Sequence, residues 1–503
     1  MMFNEKYKLH PISAIINFIK VLKDMILPFI VVVTVNGFGG SRDSDGWPSF
    51  ITYSIYAVVL IFLLVSGIVK WKRFRYWFEE GELRIEYGLF VKKMRYIPFE
   101  RIQSLNYTEG IFHRPFGLVK VKVETAGGGP TKEADAVLTA ITKDAAEQIK
   151  REMIQTKSKQ SVELNEAIQH EVVLTEEARP IFTMSIKDLI VLASTSGGVG
   201  VFFSGLAVFA AQFSNIIPYE MIYDEIVVFI RFGALIIVLG VFFVLLVAWV
   251  VSVILTLINF YNFTISIEDN EIVITRGLLE KKKITLPLSR IQGVRVVENP
   301  FRQLIGYASI IVDSAGGSLE EKDERIRLLP LVKKTKIHCV LEQIFLDLDL
   351  EPNFIPVPKR SRKFFYRLDF LWIIPVSASV IYFFYPFGLL SLILLPLSYI
   401  FGMWQHRTAG YAVNGLHLVM RYRNLSKVTI WMEKKRIQSM TERMTFFQKR
   451  KNVSSIITTI KSGVGGSTAI VPHLDKADAE RLINWYQPTK SNTVQKEKEQ
   501  PIV

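Results

Sequence analysis

The sequence predicts a multi-pass α-helical membrane protein, with about six spans in three hairpins, that carries three small cytoplasmic α+β domains. Three observations predict this fold class. Half of the 503 residues are apolar, and they are concentrated in long uncharged runs. A stretch that begins with Arg-Ile-Gln occurs three times, and few basic residues lie between the two runs of each expected hairpin.

The repeat divides the chain into three copies. Residues 101–129 and 290–318 agree at ten of 29 positions without a gap. A weaker third copy begins at Arg436 and needs about three inserted residues before its glycine pair aligns. The copies lie too far apart along the chain for a solenoid, so each is expected to be a whole small domain.

Uncharged apolar runs precede each copy, and they are the candidate spans. They occupy residues 25–35, 50–69, 189–213, 232–258 and 370–404. A bilayer core about 30 Å thick requires roughly 20 apolar helical residues, and hydrophobic runs of this length are unusual in globular cores. Tyr385-Pro386-Phe387-Gly388 interrupts the last run and predicts a tight helical hairpin there. Whether the short first run crosses the membrane is left open.

The distribution of positive charge predicts the orientation. The segments that would join the two helices of each pair are residues 36–49, residues 214–231 and the turn at Tyr385, and they contain only Arg42 and Arg231 among 61 Lys and Arg residues. The positive-inside rule then places both termini and all three copies in the cytoplasm, with the protein in the cell membrane. A single cysteine, Cys339, fits a reducing compartment.

Each copy has the signals of a small sheet followed by a helix. Residues 82–87 alternate polar and apolar side chains, and residues 271–276 do so in part. A glycine follows each of these stretches. Return strands are expected at residues 92–98 and 281–287, and a later strand at residues 119–124. Amphipathic helical segments follow the glycine pairs. The pattern predicts a curved antiparallel sheet or barrel closed by one C-terminal helix.

These signals together give a complete division of the chain. The expected segments are hairpin 1 at residues 1–70, domain 1 at 71–155, a linker at 156–184, hairpin 2 at 185–260, domain 2 at 261–350, a basic proline-containing linker at 351–367, hairpin 3 at 368–405, a degenerate domain 3 at 406–488 and a disordered tail at 489–503.

The residues of the copies resemble a known family. The apolar pair, the GLF…IP…RIQS run, the FG…VETAGG run and the terminal helix are similar to the bacterial PH-like domain of the YdbS/YdbT family, in its three-copy form. The resemblance implies a pleckstrin-homology-like barrel at the cytoplasmic face, a role in resistance to membrane-directed antimicrobials or envelope stress, and partnership with a shorter single-domain family member. It supplies no catalytic residues.

Two groups of residues are candidate sites. Basic residues recur ahead of Arg-Ile-Gln, where they are expected either to bind anionic lipid or a partner, or to protect a sheet edge: Lys92, Lys93, Arg95, Lys281, Lys282, Lys283, Lys434 and Lys435. The repeat-signature residues serve either the shared fold or a shared ligand: Arg101, Gln103, Glu109, Phe112, Gly117, Gly127, Gly128, Arg290, Gln292, Glu298, Phe301, Gly306, Gly316, Gly317, Arg436 and Gln438.

No catalytic or cofactor constellation is evident in the sequence. The seven histidines include no pair at the i, i+4 spacing of a helical metal site, and the Lys461–Thr468 stretch lacks the residue order of a phosphate-binding loop. We therefore expect a non-enzymatic membrane protein without cofactor, metal or nucleic-acid partner. It would bind anionic lipid or another membrane protein, or assemble into oligomers. The alternative is a component of a lipid or peptide transporter.

Overall fold

The structure is a computed structural model, and it describes most of the chain. The described residues are 6–19, 22–23, 47–89, 91–125, 136–164, 180–196, 234–268, 270–315, 326–345, 348–462 and 465–487. They form two compact units, Met1–Leu288 and Ser289–Val503, which are described in turn.

Besides a helical stretch at residues 12–19, the described part of the first unit contains eleven strands and four longer helices. In chain order they are β1 Tyr7–Lys8, α1 Trp47–Arg73, β2 Arg75–Glu79, β3 Glu82–Tyr87, β4 Lys93–Pro98, β5 Ile102–Glu109, β6 Leu118–Thr125, β7 Ala136–Thr142, α2 Lys143–Leu164, β8 Pro180–Thr183, α3 Ile186–Thr195, α4 Ala234–Phe260, β9 Thr264–Glu268, β10 Glu271–Arg276 and β11 Lys281–Pro287.

The second unit repeats this pattern with a helical hairpin in its middle. Its elements are β12 Ile291–Glu298, α5 Pro300–Leu304, β13 Tyr307–Ser314, β14 Ile326–Lys333, α6 Lys334–Ile344, β15 Ile355–Pro356, α7 Phe364–Phe383, a 3-10 segment Phe387–Ile393, α8 Leu394–Thr408, β16 Gly410–Asn414, β17 His417–Arg423, β18 Lys427–Glu433, β19 Ile437–Arg443, α9 Phe446–Lys449, β20 Val453–Ser462, β21 Gly465–Asp475 and α10 Lys476–Tyr486.

Two antiparallel sheets build the first unit. One has the order β1-β2-β3-β4, and the other has the order β7-β6-β5-β11-β10-β9-β8. The apolar faces of β2–β4 and β5–β7 share one core, which includes Leu83, Ile102 and Val121, and α2 covers it with Ile149 and Met153. This two-sheet core closed by a helix is the barrel that the alternating strands predict.

The second unit is built in the same way. Its sheets have the orders β14-β13-β12-β18-β17-β16-β15 and β19-β20-β21. The core of the third copy combines Met420 and Ile430 from one sheet with Ile456 and Val471 from the other, and Leu482 of α10 packs against them. The third copy, expected to be degenerate, therefore has seven strands and a terminal helix, like the first.

The hairpin α7–α8 is inserted between the first two strands of the third copy. β15 precedes α7, β16 follows α8, and the two strands pair through Ile355 with Tyr411 and Pro356 with Gly410. Phe365, in the first turn of α7, belongs to the core of the domain. Both ends of the hairpin are therefore fixed to one sheet.

The expectation of six helical spans is wrong, and with it the assignment to an α-helical fold class. Within the described ranges, the stretches Lys359–Phe383 and Gly388–Thr408 are long and apolar enough to cross a membrane. Leu245–Phe260, which is part of α4, is a shorter apolar helical stretch. The described residues are organised mainly by four sheets. The sequence count failed because it treated every uncharged run as a span, although length and apolarity do not by themselves separate a span from a packed helix.

Two of the runs are described only at their beginning or just ahead of it. Within the 189–213 run the described helix is α3, whose Leu189, Leu192 and Ala193 are buried. Ahead of the first run, the chain packs on the first copy, because Ile12 joins a small core with Leu118 and Ala140. Residues 25–35 themselves, and residues 197–213, lie outside the described residues. Around Tyr385 the chain turns from α7 into the 3-10 segment and α8.

Candidate membrane-proximal interface

The third copy has one end at which α7 begins and α8 finishes, and this end is here called the proximal end. Arg360, just ahead of α7, donates from Nη2 to Asp475 Oδ2 at 2.6 Å and to the carbonyl of Asn452 at 3.1 Å. These contacts join the approach to α7 with the connection between β19 and β20 and with the end of β21. The proximal end is thus held directly against the base of the apolar hairpin.

Aromatic contacts reinforce this attachment. The ring of His473 stacks on Phe364 at 5.3 Å between centroids and meets Phe365 edge-on at 4.9 Å. Gln448, buried in α9, places its Nε2 2.8 Å from His473 Nδ1. Burial, with a smaller contribution from His406, lowers the pKa of His473 to about 4, so the ring is neutral at physiological pH.

The opposite side of the hairpin base is held by Arg423 at the end of β17. Its guanidinium lies 3.6 Å from the centroid of the Trp404 ring in α8 and donates from Nη2 to Gln303 Oε1 at 2.6 Å. Gln303 belongs to α5, the connection between β12 and β13. The strand connections α5 and α9, from consecutive copies, therefore lie beside the two ends of the hairpin.

Lys434 and Lys435 lie at the other end of the third copy, here called the distal end. Strand β18 runs from Lys427, beside Arg423, to Glu433, and seven residues in a strand span roughly 20 Å. The ammonium of Lys434 lies 5.4 Å from the Trp485 ring, and Trp485 donates to the carbonyl of Gly415 in the distal turn. These two lysines are therefore not equivalent in position to the basic residues of the first two copies.

The basic residues of the first two copies begin strands rather than follow them. Lys92 and Lys93 stand at the start of β4, Arg95 lies within it, and all three are exposed. Lys92 forms an ion pair with Glu86 at 2.9 Å. In the first unit, Arg73 at the end of α1 donates to the carbonyl of Leu89, so this turn adjoins the end of a helix.

Lys281, Lys282 and Lys283 begin β11, where the second copy pairs with the first. Their Cα partners on β5 are Glu109, Thr108 and Tyr107. Lys281 is exposed, whereas Lys283 Nζ lies 3.3 Å from Glu268 Oε2 in a small polar cavity that Tyr107 and Lys150 also line. Part of this predicted basic cluster is therefore used to join two copies.

The two repeated glutamates make equivalent ion pairs. Glu109 binds Lys143 at 3.0 Å and Glu298 binds Lys334 at 2.5 Å, and each lysine begins the terminal helix of its copy. Glu298 also binds Lys427 at 2.9 Å. Burial opposes ionisation of Glu298, but hydrogen bonds from both lysines lower its pKa below the ordinary value. Both glutamates therefore join a strand to the terminal helix of the same copy.

The repeated arginines and glutamines lie where a 3-10 turn leads into a strand in each copy. Arg101, Arg290 and Arg436 each end a 3-10 turn that leads into β5, β12 or β19. Gln292 is buried and donates to the carbonyl of Arg290. Gln103 and Gln438 occupy the matching places in β5 and β19.

The repeated glycines are described in part. Gly117 and Gly306 have φ of +62° and +74° immediately before β6 and β13, a backbone conformation that glycine adopts without strain. In the third copy Asn452, with φ of +50°, takes this place before β20. Gly127, Gly128, Gly316 and Gly317 lie outside the described residues.

The repeated phenylalanines are not core residues. Phe112 is 46% exposed and Phe301 is 71% exposed, each in a connection between two strands. At the matching connection of the third copy lie Phe446 and Phe447, which were not among the predicted residues. An aromatic pair followed by Lys449, Arg450 and Lys451 is a sequence signal of an interfacial segment. Within the described ranges, no group of three or more His, Cys, Asp or Glu side chains could hold a metal.

Comparisons with known proteins agree with the three repeats. The model of the family described as bacterial PH domain matches residues 26–157, 227–344 and 369–490. Over 501 residues, which cover 98% of this chain and all of the relative, the sequence is 34% identical to the UPF0699 transmembrane protein YdbT of Bacillus subtilis (strain 168). No solved structure matches.

Proposed function

This chain belongs to the bacterial PH domain family, and on that premise we propose that it is a non-enzymatic, membrane-anchored scaffold of the cell membrane. Its PH-like copies lie in the cytoplasm and bind anionic lipid of the inner leaflet or a membrane-protein partner. The observation that carries this proposal is the insertion of the apolar hairpin α7–α8 between β15 and β16. A domain that is interrupted by a membrane anchor is confined to the membrane surface.

The charges around the hairpin support the cytoplasmic orientation. The turn between the two helices, Phe384–Gly388, has no charged residue, whereas the approach to α7 contains Lys359, Arg360, Arg362 and Lys363. Cationic residues that flank a span are retained on the cytoplasmic side. The hairpin would therefore enter and leave the membrane from the cytoplasm.

The single cysteine provides a direct test of this orientation. Cys339 is exposed in α6, so a membrane-impermeant maleimide reagent can reach it from the side on which the copies lie. We expect labelling in inside-out vesicles and none in intact protoplasts. Labelling of Cys339 in intact protoplasts would contradict the proposed orientation.

A matched variant controls for reagent access. Phe384→Cys in a Cys339→Ser background places the thiol in the turn between α7 and α8, where the native side chain is 66% exposed. This variant is expected to react in intact protoplasts. If neither cysteine reacts from outside while both react in inside-out vesicles, the hairpin does not cross and the anchoring proposal fails.

Exposed cations of the first two copies are the proposed contacts for lipid or partner. Lys93 and Lys281 are each the first residue of a strand, and both are exposed. Exposed cations near a leaflet contribute about 1 kcal/mol each to the binding of anionic lipid. Crosslinking in membranes of the Lys93→Glu/Lys281→Glu variant should recover less lipid or partner than wild type. A Lys434→Glu/Lys435→Glu variant is the control, because these residues lie at the distal end.

We extend the proposal to the cell as a role in resistance to membrane-directed antimicrobial peptides or envelope stress. Such a role suits a scaffold that occupies the inner leaflet. Deletion of the gene should then lower the concentration of a cationic peptide that arrests growth, and a plasmid copy should restore it. Unchanged sensitivity to a panel of such peptides would remove this role and leave the anchoring proposal intact.

A further inference from the structure

An exposed phenylalanine recurs at the same place in all three copies. Phe112, Phe301 and Phe447 each stand eleven residues after the arginine of their Arg-Ile-Gln sequence. Their exposed fractions are 46%, 71% and 62%. A large apolar side chain that recurs in solvent contributes nothing to a core, so its recurrence requires another surface to cover it.

The connection of the third copy lies against the start of α7. Gln448, the residue after Phe447, points inward and contacts His473, which packs between Phe364 and Phe365. The carbonyl of Asn452 accepts a hydrogen bond from Arg360. Phe446 and Phe447, on the outer side of the same short helix, are 65% and 62% exposed.

The connection of the second copy lies against the end of α8. Gln303 of α5 binds Arg423, whose guanidinium covers the ring of Trp404. In α5 and just after it, Phe301, Leu304 and Ile305 are 71%, 85% and 50% exposed. Apolar side chains thus emerge next to both ends of the hairpin, within the same unit.

We propose that the connections at residues 300–305 and 445–452 insert their apolar side chains into the interfacial region of the anionic leaflet that the hairpin enters. The inference rests on the proposed anchoring by α7–α8. The connection at 445–452 contacts residues 360–365 directly and through His473, and the connection at 300–305 is linked to Trp404 through Arg423. Both places lie at the ends of the hairpin and are therefore at the level of the headgroups. Aromatic rings prefer this zone.

The charge beside the phenylalanines selects an anionic lipid surface as the occupant. Lys449, Arg450 and Lys451 are exposed and follow Phe447 directly, and the Arg450 guanidinium lies 4.6 Å from the centroid of the Phe446 ring. Apolar residues combined with clustered cations on one short segment are typical of peptides that bind at the surface of anionic membranes. The connection at residues 110–117 of the first copy also exposes two phenylalanines, Phe112 and Phe116, with Arg114 between them.

Depth-dependent fluorescence quenching tests the insertion in the full-length protein. Single cysteines are introduced in a Cys339→Ser background at Phe447, Phe301, Leu416 or Trp372 and labelled with a polarity-sensitive fluorophore. Leu416 is the matched control, since it is 62% exposed in the distal turn of the same domain. Trp372, 71% exposed in α7, reports on insertion of the hairpin. The labelled proteins are reconstituted in phosphatidylcholine vesicles with or without phosphatidylglycerol, with doxyl-labelled lipids as quenchers.

If the connections insert, a doxyl group near the headgroup quenches the labels at 447 and 301, and their fluorescence emission shifts to shorter wavelength. Both effects are stronger with phosphatidylglycerol, and the label at 416 is unaffected. If the label at 372 is quenched but those at 447 and 301 behave like 416, the inference is overturned while the anchoring proposal stands. If the label at 372 is not quenched, the anchoring proposal itself fails. A wavelength shift at 447 that depends on protein density would assign the surface to a second copy and overturn insertion.

Discussion

Arg295 shows how one buried charge joins the second and third copies in the second unit. Its guanidinium is 1% exposed and donates from Nε to Asp313 Oδ2 at 2.5 Å, from Nη1 to the Tyr422 hydroxyl at 3.1 Å and from Nη2 to Ser467 Oγ at 2.8 Å. The partners come from β13, β17 and β21. Removing one member of such a group leaves the other charge buried without compensation.

We predict that Arg295→Met lowers the free energy of unfolding of the second unit by about 3–5 kcal/mol, because Asp313 would be left buried and unpaired. The double variant Arg295→Met/Asp313→Leu should recover most of this loss. Denaturation in detergent, monitored by circular dichroism, measures both variants and Asp313→Leu alone. A double variant as unstable as the sum of the single variants would contradict a coupled pair.

His473 should make the stability of the proximal end depend on pH. Its pKa is about 4 in the folded protein and about 6.5 when unfolded, so the unfolded chain binds the proton first as pH falls. Stability is therefore greatest above pH 6.5 and decreases by about 3 kcal/mol as pH falls to about 4.

The variant His473→Asn should abolish this decrease. Asparagine tolerates the positive φ of +57° found at this position and offers Gln448 an acceptor. Thermal unfolding between pH 6.5 and 4 compares the variant with wild type, and His417→Asn in the distal strand serves as the control. An unchanged pH dependence in His473→Asn would assign the effect to another group.

The third copy has a backbone conformation in common with the other two copies that its sequence does not show. The weaker match of the third copy suggested a degenerate domain, but Asn452 adopts the left-handed conformation that Gly117 and Gly306 adopt in the other copies. Asparagine is the commonest non-glycine residue in that region, so the substitution preserves the turn. An alignment by residue identity cannot register this equivalence, since it compares letters rather than backbone angles.

Among the elements, the pair α7 and α8 depends on a close approach at Gly402. A Cβ atom at this position would lie 2.9 Å from Cβ of Tyr366 and 3.2 Å from the backbone of Phe365. Ser398, one turn earlier in α8, donates to Asp369 in α7 at 3.2 Å. The helices therefore pack at a small-residue face, as helices in membranes commonly do.

We predict that Gly402→Leu forces the two helices apart and destabilises the hairpin by about 1–3 kcal/mol. Because Phe365 belongs to the domain core, the displacement should also loosen the third copy. Limited proteolysis in detergent measures both effects, and Leu397→Ala, at an exposed position of α8, is the control. Equal protease resistance of Gly402→Leu and wild type would show that the approach is not required.

Element prediction from the sequence succeeded where a strand was long enough to show alternation. β3, β10 and β11 lie where the pattern predicts them, and so do the terminal helices. The two-residue strands β1 and β15 were not predicted, because two residues have no periodicity and precede apolar runs that dominate the pattern. Without them, the insertion of the hairpin within a domain could not be inferred.

Across the whole molecule, consecutive copies share sheets within each unit. Strand β5 of the first copy pairs with β11 of the second, and β12 of the second copy pairs with β18 of the third. These pairings occupy sheet edges that would otherwise expose unpaired backbone groups. The repeat itself was detected from sequence, but which edges join was not, because backbone pairing between copies leaves no pattern in the side chains.

Cross-strand disulfides test this sharing. Thr108 and Lys282 are Cα partners, and directly paired residues have Cα atoms about 5 Å apart, which suits a disulfide. In a Cys339→Ser background, Thr108→Cys/Lys282→Cys should form an intramolecular disulfide under mild oxidation and migrate faster in a non-reducing gel. Thr108→Cys/Arg276→Cys is the control, one strand further away. Disulfide-linked dimers instead of a faster monomer would contradict sharing within one chain.

The insertion of the hairpin between β15 and β16 imposes an order on biogenesis. β15 leaves the ribosome before the hairpin, yet its pairing partner follows the hairpin. On the proposed anchoring, the strand must therefore wait while the two helices are delivered to the membrane. The domain can close only after that delivery. A failure of the translocation machinery would then leave an unfolded chain, recognisable by proteases, rather than a folded domain lacking its anchor.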